Sequence, residues 1–281
     1  MHPFLLLLSL FCISCSSSED PTSPFLGSSL SGAPHFKAEY IYRMHDEQLY
    51  SIPPAVPQPL PLYPWEESYS SALPRITKEF FRCKGSALNP VHIVDKPGGI
   101  SQYYDCGGSE KHSLPLRNGK EFVYPILLDL LNYIQKKAQK RVVITSAHRC
   151  PEHHMYVDST PANRSSKHMM GAEVSFYVQG MEEKPDKIIA ELMHFYHTEP
   201  KYAGKKEFLE FQRYEKNDSQ VSTLPWYNKE IFIKLYTRQE GRNFDNRHPY
   251  PYISIQVRYD METQQRVLFD ARAAFNNYLR H

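Results

Sequence analysis

Two short apolar runs, Val142 to Ile144 and Val174 to Val178, bracket a long loop rich in His, Ser, Asn and Pro. Strand, polar loop, strand is how a scaffold presents a site to solvent. The second run alternates, with Glu173, Ser175 and Tyr177 on one side and Val174, Phe176 and Val178 on the other. Successive strand side chains face opposite ways, so one face packs and the other meets a polar space. Residues 246–260 alternate too. Ile253, Ile255 and Val257 point one way, and Tyr252, Ser254, Gln256 and Arg258 the other. A turn at Met261 to Gln264 followed by RVLFD predicts a hairpin, and IFIKLYT at 231–237 predicts a further strand.

Helical spacing governs two other stretches. Phe122, Val123, Ile126, Leu127, Leu130, Leu131 and Ile134 form a buried stripe and predict a helix over 121–138. Asn118 and Gly119 precede it as a turn or cap, and Pro125 is tolerated only in its first turn. Lys136, Lys137 and Lys140 suit its C-terminal end. A second helix is predicted over 185–197, with Pro185 near its start and Ile188, Ile189, Leu192, Met193 and Tyr196 as its stripe. His194 and His197 fall on its rim. Residues 199–230 are mixed and charged and read as an insertion, partly helical or irregular. Together these patterns predict an α+β domain over 73–281, a small antiparallel sheet with flanking helices.

The N-terminal quarter has a different character. Residues 4–13, FLLLLSLFCI, form an apolar run too short to span a bilayer as a helix. Ser14, Cys15 and SSSED follow, so residues 1–14 read as a signal peptide. The run resembles a bacterial lipoprotein signal, with Cys15 as the lipidated first residue of an exported, membrane-anchored protein facing the periplasm or cell envelope. An ordinary cleaved signal is the alternative. Residues 15–72 read as the lipidated N-terminus and a Ser/Pro-rich linker, ending in the proline-dense SIPPAVPQPLPLYP at 51–64, a stiff polyproline spacer.

Composition adds little to this picture. The chain has 281 residues, 41% hydrophobic and 13% aromatic, enough for a sizeable core, and a net charge of +2. That balance implies no nucleic-acid partner. No P-loop, dinucleotide glycine pattern or repeat occurs. Beyond the signal lie Cys83, Cys106 and Cys150. Disulfides persist in exported proteins. Local proximity favours Cys83 with Cys106, a loop of about 23 residues worth roughly 3 kcal/mol in the chain-entropy model. Cys150 is then a buried inert thiol, although any of the three pairings is open. The intervening NPVHIVDKPGGISQ reads as surface loop.

The loop at 141–180 carries T-S-x-x-R at Thr145, Ser146 and Arg149, then S-x-H-x-x-G at Ser166, His168 and Gly171. This two-part pattern resembles the zinc D-Ala-D-Ala carboxypeptidase family, within the hedgehog/lysostaphin-type superfamily. The resemblance implies that fold, with zinc as cofactor, peptidoglycan or peptide fragments as partners, and a cell-envelope metallopeptidase activity. It implies His168 as a metal ligand, and Arg149 and Ser166 as substrate-binding residues. The family's zinc-binding Asp is replaced here by Ser175, its third ligand, a His, by Ser254, and its acidic base by Gln256. A hydrolytic zinc needs three protein ligands, an open position and a base. Substitute ligands are Glu173 and His248, with His153 and His154 close in sequence. Glu173 lies about 7 Å along the strand from Ser175 by strand rise, far beyond a zinc–oxygen bond of about 2 Å. Arg149 is either a carboxylate clamp or an ion-pair partner of Glu152, Asp158 or Glu173. Tyr156, Tyr177, Tyr252 and Phe176 line a groove or belong to core and rim. Two functions follow: a zinc peptidase cutting stem peptides, or a catalytically inactive lipoprotein whose cleft binds wall peptides or an exported partner.

Overall fold

A computed structural model describes residues 73–96, 98–160, 165–216 and 218–281. The expected signal, Cys15 and the linker lie outside the described residues. Two hairpins open the domain, β1 (His92–Lys96) with β2 (Gly99–Tyr103) and β3 (Leu116–Arg117) with β4 (Lys120–Glu121). Helix α1 (Pro125–Ala138), strand β5 (Val142–Ser146), helix α2 (Pro151–Val157) and strand β6 (Glu173–Val178) follow. Next come α3 (Pro185–Thr198), α4 (Lys206–Leu209), β7 (Gln212–Arg213), β8 (Trp226–Tyr227), β9 (Ile231–Tyr236) and β10 (Tyr252–Val257). The chain ends with the small hairpin β11 (Tyr259–Asp260) and β12 (Gln265–Arg266) and helix α5 (Ala271–Asn276). The architecture is α+β.

The largest sheet has six strands in the order β5-β6-β10-β9-β8-β7, every pair antiparallel. Its inner face carries Val174, Phe176, Val178, Ile233, Leu235, Ile253 and Ile255, all buried in one core. Helices α1 and α3 cover that face with Leu127, Leu130, Leu131, Ile134, Ile188 and Leu192. The alternation read from 174–178 and 252–257 therefore sorts the sheet as expected.

Several boundaries differ from the expectation. Helix α1 begins at Pro125 and not at 121, because Lys120–Glu121 pair with Leu116–Arg117. Asn118 and Gly119 form that hairpin's two-residue turn with φ 52° and 73°, the positive values such a turn requires. The RVLFD strand shrinks to Gln265–Arg266. Asp270 instead accepts from the Arg272 amide at 2.8 Å and caps α5. The stretch 92–103, read as loop, is a hairpin, although Ile93 and Ile100 remain exposed. The insertion contributes β7 and β8, which extend the sheet to its far edge. The long polar loop contains α2 and a 3-10 turn at Lys167–Met170. No helix among the described residues is long and apolar enough to cross a membrane.

Leu130 is fully buried where α1 meets the sheet and α3. Leu130→Ala is expected to destabilise the domain by about 2–5 kcal/mol through lost transfer energy and a residual cavity. Urea unfolding with an unchanged m-value checks this.

Candidate functional site

The outer face of the same strands builds the pocket. Across four strands, Ser146 pairs with Ser175, Ser175 with Ser254, and Ser254 with Lys234. One step along, Glu173 lies opposite Gln256. A bulge between Ile144 and Ser146 adds Thr145 to the edge strand. Bulges re-aim side chains beside functional sites, and this one brings Ser146 into the serine row. Arg149, Ser166, His168, Glu173, Ser175 and Gln256 line a single pocket of about 470 Å³, within the range of small-ligand sites. Ser254 lies beneath, 1% exposed.

His168 stands on the 3-10 turn. The Ser166 hydroxyl accepts from its backbone amide at 3.2 Å, and Gly171 closes the turn at φ 65°. Its Nδ1 donates to the Ala147 carbonyl at 2.6 Å, which leaves Nε2 with a bare lone pair. Nε2 faces Glu173 Oε1 at 3.6 Å. Burial, followed by the nearby Glu173 and Arg149 charges acting in opposite senses, leaves His168 lowered to about 4. At neutral pH the imidazole is therefore uncharged. Burial pushes the Glu173 carboxyl up, but His168, Lys234 and the bonds from Gln256 and Ser254 hold it at about 2. Ser254 Oγ donates to Glu173 Oε1 at 2.7 Å and Gln256 Nε2 at 3.0 Å. A neutral imidazole nitrogen and a carboxylate thus face each other as two acceptors. The arrangement suits a hydrogen-bond donor entering from the pocket.

Strand rise separates the Cα atoms of Glu173 and Ser175 by about 7 Å, yet the long Glu173 side chain reaches back to His168. Glu173, the substitute ligand on the strand, therefore shares the pocket with His168. His248, the other substitute ligand, packs its ring against Tyr177, Tyr250 and Tyr252 at centroid distances of 4.9, 6.1 and 5.6 Å. It does not line the pocket. Zinc needs three ligands of Cys, His or carboxylate type. Among the described residues, no group of three such side chains gathers around His168. With Ser175, Ser254 and Gln256 at the remaining positions, this donor set does not fit a hydrolytic zinc. Tyr156 and Phe176 are core residues, while Tyr252 lines the pocket.

Arg149 pairs with none of the three expected acids. Its Nε donates to Ser146 Oγ at 2.8 Å and to Asp245 Oδ2 at 2.7 Å. Asp245 Oδ1 accepts from His153 Nε2 at 3.0 Å, and His153 Nδ1 donates to Asp105 Oδ1 at 2.7 Å. The series Asp105, His153, Asp245, Arg149 alternates in charge and is buried throughout. Burial lowers His153, but the two flanking carboxylates overcome it and raise it to about 9. Asp245 lies well below the usual range: burial raises it, and Arg149 and His153 more than compensate. Spacing offered no signal for this series, because its members sit far apart in sequence.

The expected Cys83–Cys106 disulfide is not formed. The three described cysteines are free, and the two sulfurs stand 3.9 Å apart, against about 2.05 Å for a bond. Cys150 and His112 join them, and the four candidate ligand atoms lie within 4.8 Å of one another. This group could hold a metal ion. Hydrogen bonding from Cys150 and Cys83 lowers the Cys106 thiol strongly, while the bond to Cys106 pushes Cys83 up to about 12. Sequence reading missed His112, whose spacing from the cysteines matches no common metal motif.

No protein-family model, curated protein or solved structure matches this chain.

A histidine raised to about 9 against an ordinary 6.5 binds its proton more tightly folded than unfolded. The linked stability is fully present below pH 6.5 and is lost as pH rises through about 9. His153→Gln is expected to remove that slope, on the order of 3 kcal/mol between these limits. Chemical denaturation of both proteins at several pH values between 6 and 10 measures the difference.

Proposed function

We propose that this chain is an exported, wall-associated protein. Its D-Ala-D-Ala carboxypeptidase-like domain binds peptides ending in a free carboxylate and does not hydrolyse them. The carrying observation is the pairing of His168 Nε2 with Glu173 Oε1 as two facing acceptors at 3.6 Å in the pocket that Arg149 lines. A peptide C-terminus offers the complement. Its last amide N–H can donate to that acceptor pair, and its carboxylate can receive the guanidinium. The inner edge of Arg149, at Nε, is engaged by Ser146 and Asp245, so the group is oriented before any ligand arrives.

The resemblance to the wall carboxypeptidases supports a stem peptide as ligand. Both parts of the motif, Arg149 and Ser166 to His168, border the same hollow. Binding is preferred over cleavage because Glu173, the carboxylate that faces His168, is already engaged by Ser254 and Gln256. A carboxylate held near 2 is also a weak proton acceptor for a general base at neutral pH. The signal reading of residues 1–14 and Cys15 as lipid anchor support delivery to the cell envelope.

Calorimetry with a pentapeptide ending in D-Ala-D-Ala, against the same peptide amidated, tests the reading. The free acid is expected to bind about 10- to 100-fold more tightly, the worth of one charge-assisted pair. Arg149→Ala should lose the same factor for the acid and little for the amide. Equal affinity for acid and amide, or release of D-alanine from the acid with zinc supplied, would falsify it.

A further inference from the structure

Away from the pocket, four segments distant in sequence converge on one point. Cys83 follows a 3-10 turn at Lys78–Phe81, Cys106 follows β2, His112 bridges to Arg280 near the C-terminus, and Cys150 caps α2. Cys83 and Cys150 are 5% and 0% exposed, and His112 is 4% exposed. The distances suit a tetrahedral ion. Zinc–sulfur bonds of about 2.3 Å set tetrahedral sulfurs about 3.8 Å apart, and Cys83 and Cys106 are separated by 3.9 Å.

A second observation points the same way. His112 Nδ1 donates to the Ser113 carbonyl at 3.2 Å. That fixes Nε2 as the lone-pair nitrogen, buried and without a hydrogen-bond partner. A neutral histidine whose other nitrogen is held by a backbone carbonyl is the usual form of a metal ligand. Packing over the cluster is also tight. A Cβ at Gly85 would collide with Cys106 Sγ and stand 2.7 Å from Asp105 Oδ1.

We propose that Cys83, Cys106, Cys150 and His112 form a structural zinc site. The three cysteines bind as thiolates, releasing their protons to solvent, and His112 binds through neutral Nε2. Four protein ligands leave no open position for water, so the ion is structural and not hydrolytic. The site ties the β1–β2 arm and the C-terminal tail to the loop that bears Arg149. Cys106 adjoins Asp105 and Cys150 adjoins Arg149. The ion therefore holds both ends of the charge series beside the pocket.

The test uses the full chain, purified without chelator. Elemental analysis for zinc, iron and copper is paired with mass mapping of Cys83, Cys106 and Cys150 after alkylation with N-ethylmaleimide. One zinc per chain is expected, with all three thiols shielded until a chelator is added. Chelation should lower Tm by about 10 °C or more, because binding energy at such a site is folding energy. His112→Ala should lose zinc, whereas His168→Ala should retain it, which separates this site from the pocket. A metal-free protein with Cys83 and Cys106 disulfide-linked would overturn the proposal, as would zinc retained in His112→Ala. Should a variant fail to fold, the wild-type metal content and alkylation pattern decide the matter alone.

Discussion

The register of β5, β6, β10 and β9 is the constraint on which the rest of the molecule depends. Phe176 opposite Ile253 and Ile144 sends one set of side chains to the helices. Ser175 opposite Ser254 and Ser146 sends the other set toward the pocket side of the sheet. A slip of one residue would exchange the faces, putting Glu173 and Ser175 under α1 and α3. Burying an unpaired carboxylate in that core costs far more than any single contact returns. Core and pocket are therefore two sides of one pairing decision.

Polar groups on the outer face still have to be satisfied, and most are. Glu173 accepts from Ser254 and Gln256, and Arg149 donates to Asp245. The alternating order of Asp105, His153, Asp245 and Arg149 gives each inner member two neighbours of opposite charge. A buried pair of this kind is a weak source of net stability, but breaking it by removing one partner leaves an uncompensated charge. Its more evident effect is positional. It joins the end of β2, helix α2 and the loop before β10 at the side of the pocket, and it orients the guanidinium.

Two chemistries thus sit side by side. The pocket offers a hard guanidinium and two oxygen and nitrogen acceptors, suited to a polar ligand that comes and goes. The sulfur-rich cluster offers soft, closed coordination, suited to an ion that stays. Covalent neighbours connect them at Asp105–Cys106 and Arg149–Cys150.

Much of the architecture was legible in the chain itself. Alternation at 174–178 and 252–257 determined which strand face packs, and the 3, 4, 7 spacing at 126–134 and 188–196 determined the two covering helices. These patterns repeat over neighbouring residues, so a local reading recovers them. The alternation of Ser175, Ser254 and Gln256 likewise placed them on one sheet face, because strand periodicity aims them alike, and His168 joins them from the 3-10 turn. What the tertiary structure alone decided are contacts between side chains distant in sequence. Glu173 meets His168, which comes from the 3-10 turn and not from a strand. Arg149 meets Asp245 and not its near acids, and His112 meets three cysteines from other segments. Backbone periodicity says nothing about such meetings. They arise only when loops of unrelated sequence are brought to one point by a core packed elsewhere.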